Sequence, residues 1–285
     1  MEATAEQFGE PVAGHGEGPC WDPGAGVLRW VDMLAGDILS VAPDGGTVTR
    51  HHVGTVAAAL RPRVRGGLVV ATERGFALLD DPDGDVRPLP DVWSDPAVRM
   101  NDGGCDTLGG FWCGSMAYDE TPGAGALHRL DPDGTVRTVL TDVTISNGLA
   151  FTPDGTAAYY VDTATGRVDA FDVRDGAFTG RRPVVAIPPT DGAPDGLTLD
   201  ADGHIWVALW GGRAVRRYSP DGELEEHVHV PVGHVTACTF GGPDLDTLYI
   251  TTSAPDAPPA EAPYAGALFT HRPAVGGLPP LPYAG

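Results

Sequence analysis

The sequence predicts an all-β fold, a six-bladed β-propeller with four antiparallel strands per blade, from three observations. One strand pattern returns six times along the 285 residues. Glycine (40) and proline (27) are abundant and spread through the chain, as turns between many short elements would be. Runs rich in Val, Leu, Tyr and Trp are common, whereas no helical periodicity of about a dozen residues or more is present.

The repeat is clearest in apolar runs that open after a Gly- or Asp-rich turn. They cover Val27 to Met33, Gly67 to Thr72, Gly110 to Met116, Ala157 to Thr163, His204 to Trp210 and Asp246 to Thr252, at intervals of 40 to 47 residues. A further strand follows each: Asp37 to Pro43, Gly75 to Pro82, Gly125 to Pro132, Arg167 to Val173, Ala214 to Pro220 and Gly266 to Pro273. Four of these run into Pro-Asp-Gly, where proline presets φ and glycine accepts a positive φ, a hairpin signal. Another strand comes after the turn, as in Thr135 to Leu140 or Leu224 to Val230. One more precedes each set, as in Gly148 to Thr152 or Gly196 to Asp200. Four strands per unit make a propeller blade, and six blades fill residues 1–285 as a single domain. The Pro- and Ala-rich stretch from Ala254 to Ala265 reads as a long loop, and ring closure is expected to draw a strand from the N-terminal segment.

Composition excludes several functions. A net charge of −21 does not suit a phosphate-binding surface, so no nucleic-acid partner is expected. The 18 basic residues are all arginine, which removes Schiff-base and P-loop lysine chemistry. No basic segment followed by an apolar one opens the chain, and no apolar run approaches 18 residues, so neither a secretory signal nor a membrane span is expected. Cys20, Cys105, Cys113 and Cys238 lack CxxC spacing and read as reduced, buried thiols of a cytoplasmic protein. The nine histidines form no ligand spacing; His51-His52 and His227/His229 read as faces of outer strands. A monomer or weak homo-oligomer is expected.

Oxygen-bearing side chains recur at one register. Asn147 lies seven residues before Asp154 of the Pro153-Asp154-Gly155 turn, and Asp195 seven before Asp202 of Ala201-Asp202-Gly203. Glu17 lies seven before Gly24, and Asn101 seven before Leu108. Each is followed by glycine directly or, for Asn101, by Asp102-Gly103. Each unit already has its hairpin turn, so these pairs have no turn of their own to make. The register is the start of the innermost strand, and the four side chains would converge at one end of the channel. Oxygen donors with no histidine suit a hard cation, Ca²⁺ or Mg²⁺, with Mn²⁺ or Zn²⁺ also open. Loops between the second and third strands of each blade would overhang that end. They include Ala117 to Ala124 and Ala254 to Ala265, which makes Tyr118, Asp119 and Trp210 candidates for a pocket wall. Ser115 and Ser146 lack a nucleophile-elbow context and Cys113 lies in an apolar strand, so no covalent nucleophile is indicated.

Several motifs occur in order along the chain: Gly16-Glu17-Gly18-Pro19 with Trp21-Asp22, Arg99-Met100-Asn101-Asp102-Gly103, and Gly114-Ser115-Met116. Ile145-Ser146-Asn147-Gly148-Leu149, Pro194-Asp195-Gly196-Leu197 and Phe240-Gly241-Gly242 follow. In these the chain resembles the regucalcin/gluconolactonase family, the senescence-marker-protein type of calcium-dependent propeller. The resemblance implies that Glu17, Asn147 and Asp195 bind one divalent metal, calcium first. It implies that Arg99 and Asn101 hold substrate oxygens, with Asp119, where some members carry Glu, in a sugar-binding role. The expected reaction is hydrolysis of a sugar lactone to the aldonic acid, with Asp195 assisting water attack. Two other functions fit the same residues: metal-dependent phosphotriester or fluorophosphate hydrolysis, and a non-enzymatic calcium-binding propeller.

Overall fold

Every repeat folds as a four-stranded antiparallel sheet in the computed structural model, which describes residues 1–285. The six sheets stand as blades around one axis, each inner strand packed beside the inner strand of the next blade. The inner strands are Gly16–Asp22, Ala57–Pro62, Val98–Cys105, Ser146–Phe151, Ala193–Leu199 and Val235–Gly241. The second strands, which the sequence located most sharply, are Val27–Asp32, Leu68–Thr72, Phe111–Ala117, Ala157–Asp162, Ile205–Trp210 and Thr247–Thr252.

Blades cover one another on both faces, so strands near the axis are buried along their length without an exposed alternate face. Gly16–Asp22 and Phe111–Ala117 are buried at every residue, whereas the outermost strand Ala177–Ala186 is mostly exposed. Four Pro-Asp-Gly turns lie between third and fourth strands, with Gly134 at φ 88° and Gly222 at φ 89° as such hairpins require.

Ring closure uses the N-terminal segment, in two parts. Glu6–Phe8 is the outer strand of the sixth blade, antiparallel to Leu268–His271. Glu2–Thr4 joins the fifth blade instead, as an added strand parallel to Leu224–His229, which the sequence did not anticipate. The loop after Thr252 holds a 3-10 turn, Pro259–Glu261. Buried Glu261 ties it down, accepting from the Gly233 amide at 2.7 Å and pairing with Arg213. The last residues cross the opposite face of the ring: Ala201 N donates to Gly276 O, Tyr283 N to Pro62 O and Ala284 N to Gly109 O. All four cysteines are buried and unpaired. No helix is long and apolar enough to cross a membrane.

Candidate active site

The shared register is the site of a β-bulge. In each of the six blades the pairing of inner and second strands slips at this point, between Glu17 and Cys20, Ala57 and Ala59, Met100 and Gly103, Ser146 and Leu149, Pro194 and Leu197, and Val235 and Ala237. A bulge adds a residue to one strand and re-aims its side chains. Here it turns Asn147, Asp195 and their counterparts toward the axis. The glycines that follow are explained by close approach between blades. A Cβ on Gly148 would stand 2.7 Å from Asp195 O, and one on Gly196 would stand 2.8 Å from Ala237 Cα.

Glu17, Asn101, Asp102, Asn147, Asp195 and Arg99 are all buried. Asn101 links the group: its Oδ1 accepts from Arg99 Nη1 at 2.6 Å, and its Nδ2 donates to Ser146 O at 2.8 Å and Asn147 Oδ1 at 3.2 Å. Asn147 Nδ2 donates to Thr163 Oγ1 at 2.8 Å, and that hydroxyl donates to Pro194 O at 2.8 Å. The amide oxygen of Asn147 is therefore oriented from both sides. Glu17 Oε2 accepts from the Gly18 amide at 2.9 Å. Asp195 Oδ1 is buried without any hydrogen-bond partner.

Charge is poorly compensated at this end of the channel. Burial and the Asp102 carboxylate push Glu17 up to about 8. Burial, Glu17 and Asp102 raise Asp195 well above the usual carboxylate range. Burial also raises Asp102, against the opposing pull of Arg61. Arg99 forms no ion pair, and burial lowers its pKa. Its guanidinium lies 5.6 Å from the centre of the Tyr118 ring, and its Nε has no partner. Buried, electrostatically coupled carboxylates, together with an orphaned oxygen and an oriented amide oxygen, are what a hard cation needs.

The remaining sequence candidates occupy different places. Asp119 is exposed, its Oδ1 accepting from Thr121 N at 3.1 Å and Thr121 Oγ1 at 2.7 Å, so it closes its own turn and does not touch the buried group. Tyr118 donates to Glu73 Oε1 at 2.8 Å. Trp210 stacks on His234 at 4.0 Å with its edge toward His15, whose Nδ1 is 2.7 Å from Ser253 Oγ. Burial and the Arg99 charge pull His15 down to about 4, leaving a neutral imidazole. Asp102 belongs to the buried group although Asp-Gly reads in sequence as turn punctuation; its signal is its place inside the bulge beside Asn101. At the far end of the axis lies a cavity of about 110 Å³, lined by Cys20, Cys105, Cys238 and Arg61 and closed by Leu278 and Leu281, with no carboxylate.

The same architecture occurs in a solved structure described as a calcium-binding protein, regucalcin, from Agrobacterium tumefaciens. It superposes with a TM-score of 0.93 at 29% identity, over 99% of this chain and 98% of that one. Pentonolactonase XacC of Haloferax volcanii is 39% identical over 273 residues, 93% of this chain and 92% of that protein. The 6-deoxy-6-sulfogluconolactonase of Pseudomonas putida is 33% identical over 277 residues, 95% of each. Residues 15–254 match the family described as SMP-30/Gluconolactonase/LRE-like region, and the chain belongs to that family.

Proposed function

We propose that this chain hydrolyses a sugar lactone to the open aldonic acid at the bulge end of the channel, with Glu17, Asn147 and Asp195 holding one divalent cation. The carrying observation is the orphaned Oδ1 of Asp195 beside a second buried carboxylate. Two relatives named as lactonases, at 39% and 33% identity, support the substrate class. Calcium is the first choice of metal, since the donors are all oxygen and a relative of known structure is described as calcium-binding. The four buried thiols are consistent with a reducing, cytoplasmic setting.

When bound, the cation would polarise the lactone carbonyl and offset charge developing on its oxygen. One carboxylate oxygen of Asp195 would serve as a ligand and the other would take a proton from the attacking water. Water oxygen bonds to the carbonyl carbon, the ring C–O bond breaks, and the released ring oxygen takes up a proton as the new hydroxyl. Arg99 supplies a fixed donor fork with a free Nε–H for substrate oxygens. Both ends of the Asn101 amide are engaged, so its first role is to hold Arg99 and Asn147 in register.

The test is a panel of glucono-, galactono-, xylono- and arabinono-lactones after chelation, with each metal added back and a phosphotriester run alongside. Metal-restored turnover of a lactone is expected. Turnover of no lactone with any metal, or faster turnover of the phosphotriester, overturns this reading.

A further inference from the structure

The added strand at the fifth blade brings together three ligating side chains far from the channel. His227 and His229 alternate along Leu224–His229 and so project from the same face. The parallel strand sets Glu2 opposite His227 and Thr4 opposite His229. Glu2 Oε2 reaches His229 Nε2 at 2.9 Å, and the two imidazole rings lie 4.3 Å apart, centre to centre. One ligand atom from each residue falls within 4.8 Å of the others. The Nε2 of His227 is buried without a hydrogen-bond partner.

We propose that Glu2, His227 and His229 form a second metal site, for zinc, that staples the N-terminal strand to the edge of the fifth blade. Two imidazoles and a carboxylate with an open fourth position are a zinc donor set. Calcium and magnesium prefer all-oxygen donors, so this site and the axial one select different metals. An isolated Glu–His pair on the surface would explain the 2.9 Å contact alone. It would not explain the second imidazole lying tilted beside it with a buried, unsatisfied nitrogen, a costly feature that a metal bond removes. The cation nearby, Arg216, is itself paired with Asp191 at 2.9 Å. The site is half open, since the side chains of His229 and Glu2 are 55% and 71% exposed.

The experiment uses the full chain without a polyhistidine tag, chelated, then saturated with calcium and titrated with zinc by calorimetry. One zinc equivalent is expected in wild type and in Asp195→Asn, and loss of that equivalent in His227→Gln and His229→Gln. Zinc should raise the Tm of wild type but not of His229→Gln, while the calcium-supported lactonase rate of His229→Gln stays unchanged. Glu2→Gln, which leaves both strands intact, should weaken zinc binding. Zinc uptake that survives both histidine changes, or that disappears in Asp195→Asn alone, overturns the proposal.

Discussion

At Asp195 a carboxylate sits among Glu17 and Asp102 with one oxygen lacking a hydrogen bond. Burying such a charge is unfavourable until a cation arrives, so catalysis and stability pull in opposite directions there. Asp195→Asn keeps the shape and removes the charge. Its kcat on a responsive lactone should fall by about 10²–10⁴-fold, the usual value of a positioned acid or base. The chelated variant should nevertheless melt above chelated wild type at pH 8; a melt below wild type would mean that the carboxylate is structurally satisfied. The sign for pH follows from the same group. Glu17 moves from an ordinary value near 4.5 up to about 8 on folding, so between those limits the folded state holds the proton that the unfolded state has released. Stability of the chelated protein should therefore decrease as pH rises from about 5 to about 8. Saturating calcium should flatten that slope, because the ligands are then held ionised; parallel Tm–pH curves with and without metal would place the metal elsewhere.

The inner strand with its bulge is the element that builds the site, and only half of it was legible in the sequence. The register was readable because turn residues repeat at a fixed distance from Glu17, Asn147 and Asp195. The reason for the glycines was not, because the constraint comes from the neighbouring blade and not from the local chain. Gly148→Ala should cost about 1–3 kcal/mol through overpacking against Asp195 O and Leu197, and should weaken metal binding by displacing Asp195. A second device recurs in two blades. Asp106 and Asp200 each directly follow an inner strand, six residues before a tryptophan, and accept from Trp112 Nε1 and Trp206 Nε1 at 2.7 and 3.1 Å. Arg129 Nε and Arg217 Nε also donate to them, each at 2.7 Å. The spacing was visible, but composition alone presents these aspartates as part of a solvated acidic surface. Asp200→Ala leaves Trp206 Nε1 and Arg217 Nε without an acceptor, although Arg217 keeps its pairing with Glu225, and should cost about 1–3 kcal/mol by denaturant unfolding. Calcium affinity should stay unchanged, in contrast to Gly148→Ala.

A propeller is stable as a whole only if its last blade is closed, and the closing contacts are the longest-range ones in this chain. Sequence repeats show six blades because each blade is local. They cannot show which terminal strand completes the ring, since Glu6–Phe8 pairs with Leu268–His271 across almost the full chain length. The division of labour within the first eight residues was equally hidden. Buried Ala5 bridges the two strands, its amide donating to His229 O at 2.9 Å, so one short segment fastens the fifth and sixth blades together. Deleting residues 1–8 removes both pairings and uncovers the edge beside Phe269, which is fully buried in the intact ring. Each ladder bond lost is worth about 1 kcal/mol net, and each kcal/mol lowers Tm by roughly 2–4 °C in a chain of this size class. The truncated protein should melt well below the full chain by circular dichroism. The opened edge also makes it prone to self-association. If the truncated and full chains melt together, the ring is held by its inner contacts and the terminal strands are ornamental.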